Sequence, residues 1–291
     1  MRFLYPLYHL YHRYFRNHRN YNDDPPPPPS ISPLEALQSS LNFVHEWSIF
    51  FNVDESHNTE HSKEALFWFL EIMKQQHLST DPFDSTTLLI AMHGIILHDV
   101  LDKKYMKDNS QLQSYSILLE NHLRSVLPVE EDVTLLMRVM DSISYSKTVT
   151  EDGVQFPEWI PETGKWWDIY HWVRESDLLA SYNLTRMIHF RFREIPVDQY
   201  EDPDTWSVVV TDVLALYHKR IATLLEKGLF LHPEALEIAK HLHYISSLKI
   251  QQLSPSVIVP EPEWTFFTMV HKVSWSSMLE PSIIRLLQTS K

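Results

Sequence analysis

Residues 88–104 read Leu-Leu-Ile-Ala-Met-His-Gly-Ile-Ile-Leu-His-Asp-Val-Leu-Asp-Lys-Lys. The apolar run from Leu88 to Leu97 is broken by His93 and falls short of the about 18 to 20 residues a membrane helix needs. It is assigned to a helix over 85–98, closed by His98 and Asp99. Neighbouring side chains on a helix point about 100° apart. Two adjacent ones converge on a single atom only near a helix end, where the backbone turns. A metal ion is such an atom.

The same helical pattern extends in both directions. Ser32-Pro33-Leu34-Glu35 is a helix start, with a capping serine, proline at the first helical position and a glutamate that closes a capping box. Helices are expected over 33–50, 59–77, 85–98, 110–127, 130–144, 165–193, 205–226 and 233–249. Leu66, Phe69, Leu70 and Met73 form the i, i+3, i+4, i+7 stripe of a core-facing helix. Leu118, Leu119, His122, Leu123 and Val126 repeat it. Alternation of the strand type does not persist, so the fold class is all-α. A loop rich in Pro, Gly and Thr spans 147–164, a length that suits a functional segment better than a simple connector.

Composition excludes several chemistries. With no cysteine among 291 residues, disulfides, thiolate zinc sites and cysteine nucleophiles are all ruled out. That fits a reducing, cytoplasmic setting. The four glycines, Gly94, Gly153, Gly164 and Gly228, are too dispersed for a phosphate-cradling loop, so metal and basic side chains must handle any phosphate. A formal net charge of −13 argues against general nucleic-acid binding. No transmembrane segment is expected.

Three segments are read along the chain: an arm and linker over 1–31, a helical domain over 32–249, and a C-terminal extension over 250–291. The arm has no acid before Asp23 and carries Arg2, Arg13, Arg16 and Arg19 among tyrosines and histidines; Pro25 to Pro29 then form a stiff spacer. A disordered tail is the expectation. An RNA-binding, membrane-touching or organelle-targeting arm is the alternative, although a transit peptide normally carries serine, which residues 1–29 lack. The extension holds Pro255, Pro260, Pro262, Trp264, Phe266, Phe267 and Trp275 and is read as a docked strap or a partner-binding segment. Protein contacts are expected, if anywhere, through 1–31 and 250–291.

His61 and Asp177 join His98 and Asp99 as candidate metal ligands. Asp54-Glu55-Ser56-His57-Asn58 reads as a turn in which Asn58 caps a helix beginning at Thr59, placing His61 in its first turn. A surface or packing histidine is the plain alternative. Asp177 continues the apolar face of Tyr170 and Val173, where a carboxylate is costly unless paired or metal-bound. Pairing with Arg174 or Arg138 is its alternative. Two imidazoles and two carboxylates suit Mn²⁺, Fe²⁺, Ni²⁺ or Zn²⁺ better than Mg²⁺.

This H…HD…D order resembles the HD-domain metal-dependent phosphohydrolases, nearest to the single-domain branch that includes nucleotide pyrophosphohydrolases. Ser56-His57-Asn58-Thr59-Glu60-His61 is similar to that branch's Ser-His-Asp-x-x-His, and Leu97 to Tyr105 to its Leu-His-Asp-Val/Ile-x-Asp-x-Lys-Phe. Ile143-Ser144-Tyr145-Ser146 matches Ile-Ser-Phe/Tyr, and Glu175 to Ala180 stands where the family has Asp-Ala-Asp-Arg-Leu-Asp. The likeness covers about residues 34–249. It implies an HD-type helical bundle with one divalent metal held by His61, His98, Asp99 and Asp177. It implies that Asp102 orients the attacking water or shuttles its proton and that Lys104 neutralises phosphate charge, with His57, Lys103, Ser144 and Tyr145 near the substrate. A small phosphate compound, a nucleotide foremost, is the implied substrate. Without the motif, Asp102 and Lys103-Lys104 read as a solvated charged turn. Some relatives hold two metals through extra histidines, for which His122 and His171 are the candidates.

The chain departs from the pattern at Asn58, Leu178 and Ala180, where the family carries aspartate, arginine and aspartate. Besides a phosphohydrolase, a catalytically silent metal- or nucleotide-binding scaffold is therefore carried forward, as is a helical protein with no site.

Overall fold

A computed structural model describes residues 31–53, 57–76, 83–106, 108–151, 153–192, 195–199, 202–253 and 273–290. The basic arm with its polyproline run, the turn residues Asp54 to Ser56, and Pro255, Pro260, Pro262, Trp264, Phe266 and Phe267 lie outside the described residues. Residues 33–291 belong to one unit. No described helix is long and apolar enough to cross a membrane.

The fold is all-α. Its helices are α1 (Pro33–Phe51), α2 (Thr59–Gln76), α3 (Ser85–Leu97), α4 (Asn109–Val126), α5 (Glu130–Ser142), the single turn α6 (Tyr145–Thr148), α7 (Lys165–Ala180), α8 (Leu184–Phe192), α9 (Pro203–Leu216), α10 (Pro233–Gln252) and α11 (Glu280–Thr289). A two-residue hairpin, β1 (Val149–Thr150) paired antiparallel with β2 (Gly153–Val154), occupies the start of the expected 147–164 loop.

The centre of the bundle is α3, which packs against α1, α2, α5 and α7. Every residue from Ala91 to His98 is buried, as expected of a helix apolar all round. Asp84 caps it by accepting from the Thr87 amide at 2.9 Å. On α2, the stripe Leu66, Phe69, Leu70 and Met73 is buried as the periodicity requires. The described part of the C-terminal extension docks on α1 and α2 through α11, burying Leu279, Ile283 and Leu286.

Two expected helices are shorter than the pattern suggested. The one expected over 165–193 is two, α7 and α8. Ser181, Tyr182 and Asn183 end α7 with tight turns: the Ser181 amide donates to Asp177 O and Leu178 O, and its hydroxyl donates to Leu178 O at 2.6 Å. Asn183 Oδ1 then accepts from the Arg186 amide at 3.2 Å and starts α8. Short polar side chains that bond the local backbone compete with helix continuation. The helix expected over 205–226 leaves α-geometry at Tyr217, passes through one π turn to Ile221, and reaches positive φ at Gly228.

Candidate metal centre

Four side chains from three helices meet at one end of α3. His61 stands in the first turn of α2, which Asn58 caps by accepting from the Glu60 amide at 2.8 Å. His98 and Asp99 follow α3 directly. The chain leaves the helix there through consecutive turns, Val100 N donating to Leu97 O and Asp102 N to Asp99 O. That change of direction lets two adjacent side chains face one point. Asp177 projects from α7, one helical turn beyond Val173.

His61 Nε2 lies 3.2 Å from His98 Nε2, 3.1 Å from Asp177 Oδ1 and 3.4 Å from Asp99 Oδ2. His98 Nε2 lies 3.3 Å from Asp99 Oδ2 and 3.5 Å from Asp177 Oδ1. Ligands about 2.1 Å from a shared ion sit about 3.0 Å apart at octahedral angles and about 3.4 Å apart at tetrahedral ones. Four of these five distances fall within that interval, and the fifth exceeds it by about 0.1 Å. Asp99 Oδ2 is buried and among the described residues has no hydrogen-bond partner. His61, His98 and Asp177 could hold a metal ion.

The electrostatics of the cluster follow from burial and crowding. Burial lowers the pKa of His61 and the Arg186 guanidinium lowers it further, so the ring is held neutral. Burial also opposes charge on His98, but Asp99 and Asp177 outweigh it and raise its pKa well above the ordinary histidine value. Both carboxylates are partly buried, which favours the neutral acid, yet His98 and His61, joined at Asp99 by His57, keep them well below the usual carboxylate range. His98 Nδ1 donates to Ile95 O at 2.8 Å, which fixes the ring and aims Nε2 into the cluster.

The alternatives raised for these residues do not hold. His61 is 4% exposed, so it is no surface histidine, and its Nε2 faces polar atoms rather than apolar packing. Asp177 pairs with neither arginine proposed for it. Arg174 Nη2 contacts Glu175 Oε1 and His171 Nδ1, and Arg138 stacks over the Trp159 ring.

Beside the cluster lies a more exposed group. Asp102 caps a short 3₁₀ turn, Lys103–Tyr105, by accepting from the Lys104 amide at 3.0 Å. Lys104 Nζ stands 2.9 Å from Asp102 Oδ2 and 2.6 Å from His57 Nε2, and the Tyr105 hydroxyl meets His57 Nδ1 at 3.0 Å. His57, Asp99 and Asp102 form a second set that could hold an ion, with the Lys104 ammonium already against two of its members. Lys103 is exposed on the same turn. Ser144 is exposed at the start of α6, and Tyr145 lies with Arg220 and Lys227, its hydroxyl accepting from Lys227 Nζ at 2.7 Å.

The structure puts His122 and His171 elsewhere. His122 Nε2 and His93 Nδ1 both bond the Ser40 hydroxyl, at 2.9 and 2.8 Å, and burial lowers the two pKa values to about 4 and about 3. His171 sits against Arg174 and Trp167, its pKa lowered by burial to about 2.

Sequence reasoning missed the support behind His61. Arg186 on α8 abuts His61 Nδ1 and Ala180 O, and it pairs with Glu64 at 2.9 Å. Glu64 is also bonded by Asn183 Nδ2 at 2.9 and 3.1 Å. Glu64 shares a helix face with His61 at i+3, a weak signal; nothing in the sequence pointed to Arg186. No protein-family model, curated protein or solved structure matches the chain. The family resemblance therefore stands on residues 56–61, 97–105, 143–146 and 175–180 alone.

Proposed function

We propose that the chain is a metal-dependent phosphohydrolase of the HD type, acting on a phosphoester or phosphoanhydride of a small molecule, a nucleotide foremost. The observation that carries this is that His61 Nε2 and His98 Nε2 each lie 3.1–3.5 Å from both Asp177 Oδ1 and Asp99 Oδ2, the last a buried oxygen that makes no hydrogen bond among the described residues. The mixed N/O set favours one Mn²⁺, Fe²⁺, Ni²⁺ or Zn²⁺ over Mg²⁺. A divalent ion in such a set supplies a Lewis acid for a phosphoryl oxygen and lowers the pKa of water.

The remaining roles belong to the chain. Asp102, within 4.8 Å of an Asp99 ligand atom and more exposed than Asp99, would take a proton from the attacking water. Lys104 offers a cation to substrate phosphate, and His57 with Tyr105 holds that cation in position. Coordination through His61 Nε2 puts the ring hydrogen on Nδ1, so the guanidinium of Arg186 turns toward its other partners, Glu64 and Ala180 O.

Purified protein with Mn²⁺ is expected to release phosphate or pyrophosphate from members of a nucleotide panel, and His98→Ala or Asp99→Ala to abolish release. Activity unchanged in both variants removes the assigned centre. One observation favours the silent-scaffold reading: Leu178 and Ala180, standing where the family has charged residues, are buried in the core. Stoichiometric metal and tight nucleotide binding without product selects that reading.

A further inference from the structure

A cavity of about 120 Å³ lies between α2, the α7–α8 turn and α10. Leu179, Leu184, Leu242 and Ile245 give it an apolar wall. Two hydrogen-bond donors line it unused: the Tyr182 hydroxyl and Trp68 Nε1 are buried, and among the described residues neither has a partner. Tyr182 is only 5% exposed. An unsatisfied buried donor costs about 1–3 kcal/mol, so two lining one cavity call for an acceptor. Lys249, also on the wall, is a third donor and forms no ion pair among the described residues.

Glu64 is the acid of the lining, and its carboxylate is already neutralised by Arg186 and bonded by Asn183. Asn183 and Ser246, also on the wall, are hydrogen-bonded within the protein, so Tyr182, Trp68 and Lys249 are donors open to a ligand, one of them cationic. The complementary ligand is an acceptor-only anion on a short apolar body. An apolar cavity of about 150 Å³ admits a benzene-sized molecule, so this one admits an apolar body of roughly five carbons, with the carboxylate at its donor-lined side.

We propose that this cavity is a binding site for a small apolar carboxylate, separate from the metal centre and divided from it by the Glu64–Arg186 pair. The body packs on the leucine wall, and the carboxylate accepts from Tyr182, Trp68 and Lys249.

The test uses the full chain with hexanoate and hexan-1-ol as probes in calorimetric titrations. Hexanoate is expected to bind saturably, one per chain, at least tenfold more tightly than hexan-1-ol. Tyr182→Phe weakens hexanoate at least about tenfold and hexan-1-ol less, since a hydrogen bond to a charged group contributes more than one between neutral groups. Leu242→Trp fills the cavity and abolishes both. His98→Ala leaves hexanoate binding intact, which separates the site from the metal reading. A thermal melt confirms that each variant is folded. No saturable hexanoate binding, equal affinity for the alcohol, persistence of binding in folded Leu242→Trp, or its loss in His98→Ala each overturns the proposal.

Discussion

Gly94 sets the distance between α3 and α7 and, through it, the geometry of the ligand cluster. A Cβ on Gly94 would stand 2.9 Å from Leu136 Cδ1 and 2.9 Å from Val173 Cγ2. Carbon atoms pack at about 3.5–4.0 Å, so each contact needs about 0.6–1.1 Å more room. Leu136 Cδ1 is the end of a rotatable chain and can move aside. Val173 is β-branched and nearly fixed at χ1 in a helix, so much of the displacement falls on the helix spacing. His98 follows Gly94 by four residues and Asp177 follows Val173 by four, so the displaced turns sit directly beneath two ligands. Metal sites tolerate about 0.2 Å. Gly94→Ala is therefore expected to weaken Mn²⁺ binding about 10- to 100-fold, as changes to supporting groups do. Its stability effect is smaller: overpacking costs about 1–3 kcal/mol, and alanine's helix propensity returns up to about 1 kcal/mol. At about 2–4 °C per kcal/mol for a domain of this size, Tm falls by no more than about 12 °C. Equilibrium dialysis with Mn²⁺ measures the first quantity and a thermal melt the second. Val173→Ala removes the opposing methyls and restores binding in the double variant, a coupling that a double-mutant cycle reads directly. Wild-type Mn²⁺ affinity in folded Gly94→Ala, or no rescue by Val173→Ala, would refute the spacing argument.

Two further predictions concern pH. Because Asp99 and Asp177 hold the metal-free His98 protonated well above its ordinary range, protons and metal compete for Nε2. Mn²⁺ affinity measured from pH 6 to 8 is expected to rise, by up to about tenfold per unit; a flat profile contradicts the assignment of His98 as a ligand. His232 is the second case. Burial alone would lower its pKa, but Asp168 and Glu175 raise it to about 9. A raised folded-state pKa contributes stability that is complete below the unfolded value near 6.5 and is lost as pH rises through 9. That contribution is roughly 3 kcal/mol. The stability gap between wild type and His232→Gln, followed by urea melts, should narrow by about that amount between pH 6 and pH 10; a constant gap rejects the ion pair as its source.

The helices that carry the ligands were legible because their signals are local. Asn58 before Thr59 and the apolar run before His98, broken only by His93 and Gly94, place His61, His98 and Asp99 at helix ends without knowledge of the fold. The break after α7 was not legible, because Ala180 and Leu184 keep the apolar spacing across Ser181-Tyr182-Asn183 and periodicity alone cannot see the Ser181 and Asn183 side chains turning back on the backbone. Arg186 was lost with it: in an unbroken helix it would stand nine residues beyond Asp177, and only the turn brings it against His61. Likewise the pairing of Glu175 with the 231–232 amides depends on a contact 56 residues away, which no window of sequence contains.

The cluster is hard to account for as a self-contained network. Two ionised carboxylates each stand 3.1–3.5 Å from two imidazoles, and the protonated His98 is the one cation among them. Arg186 stands on the far side of the His61 ring, and Lys104 is engaged with Asp102 and His57. Both imidazoles turn Nε2 inward, so hydrogens on both nitrogens would face each other at 3.2 Å. The buried Asp99 Oδ2 makes no hydrogen bond although His98 and His61 Nε2 stand 3.3 and 3.4 Å from it, at a cost of about 1–3 kcal/mol or more for a charged group. A single proton can relieve one pair of these atoms at a time. One cation at their centre serves all four, which is why the metal reading is preferred to a hydrogen-bonded polar core.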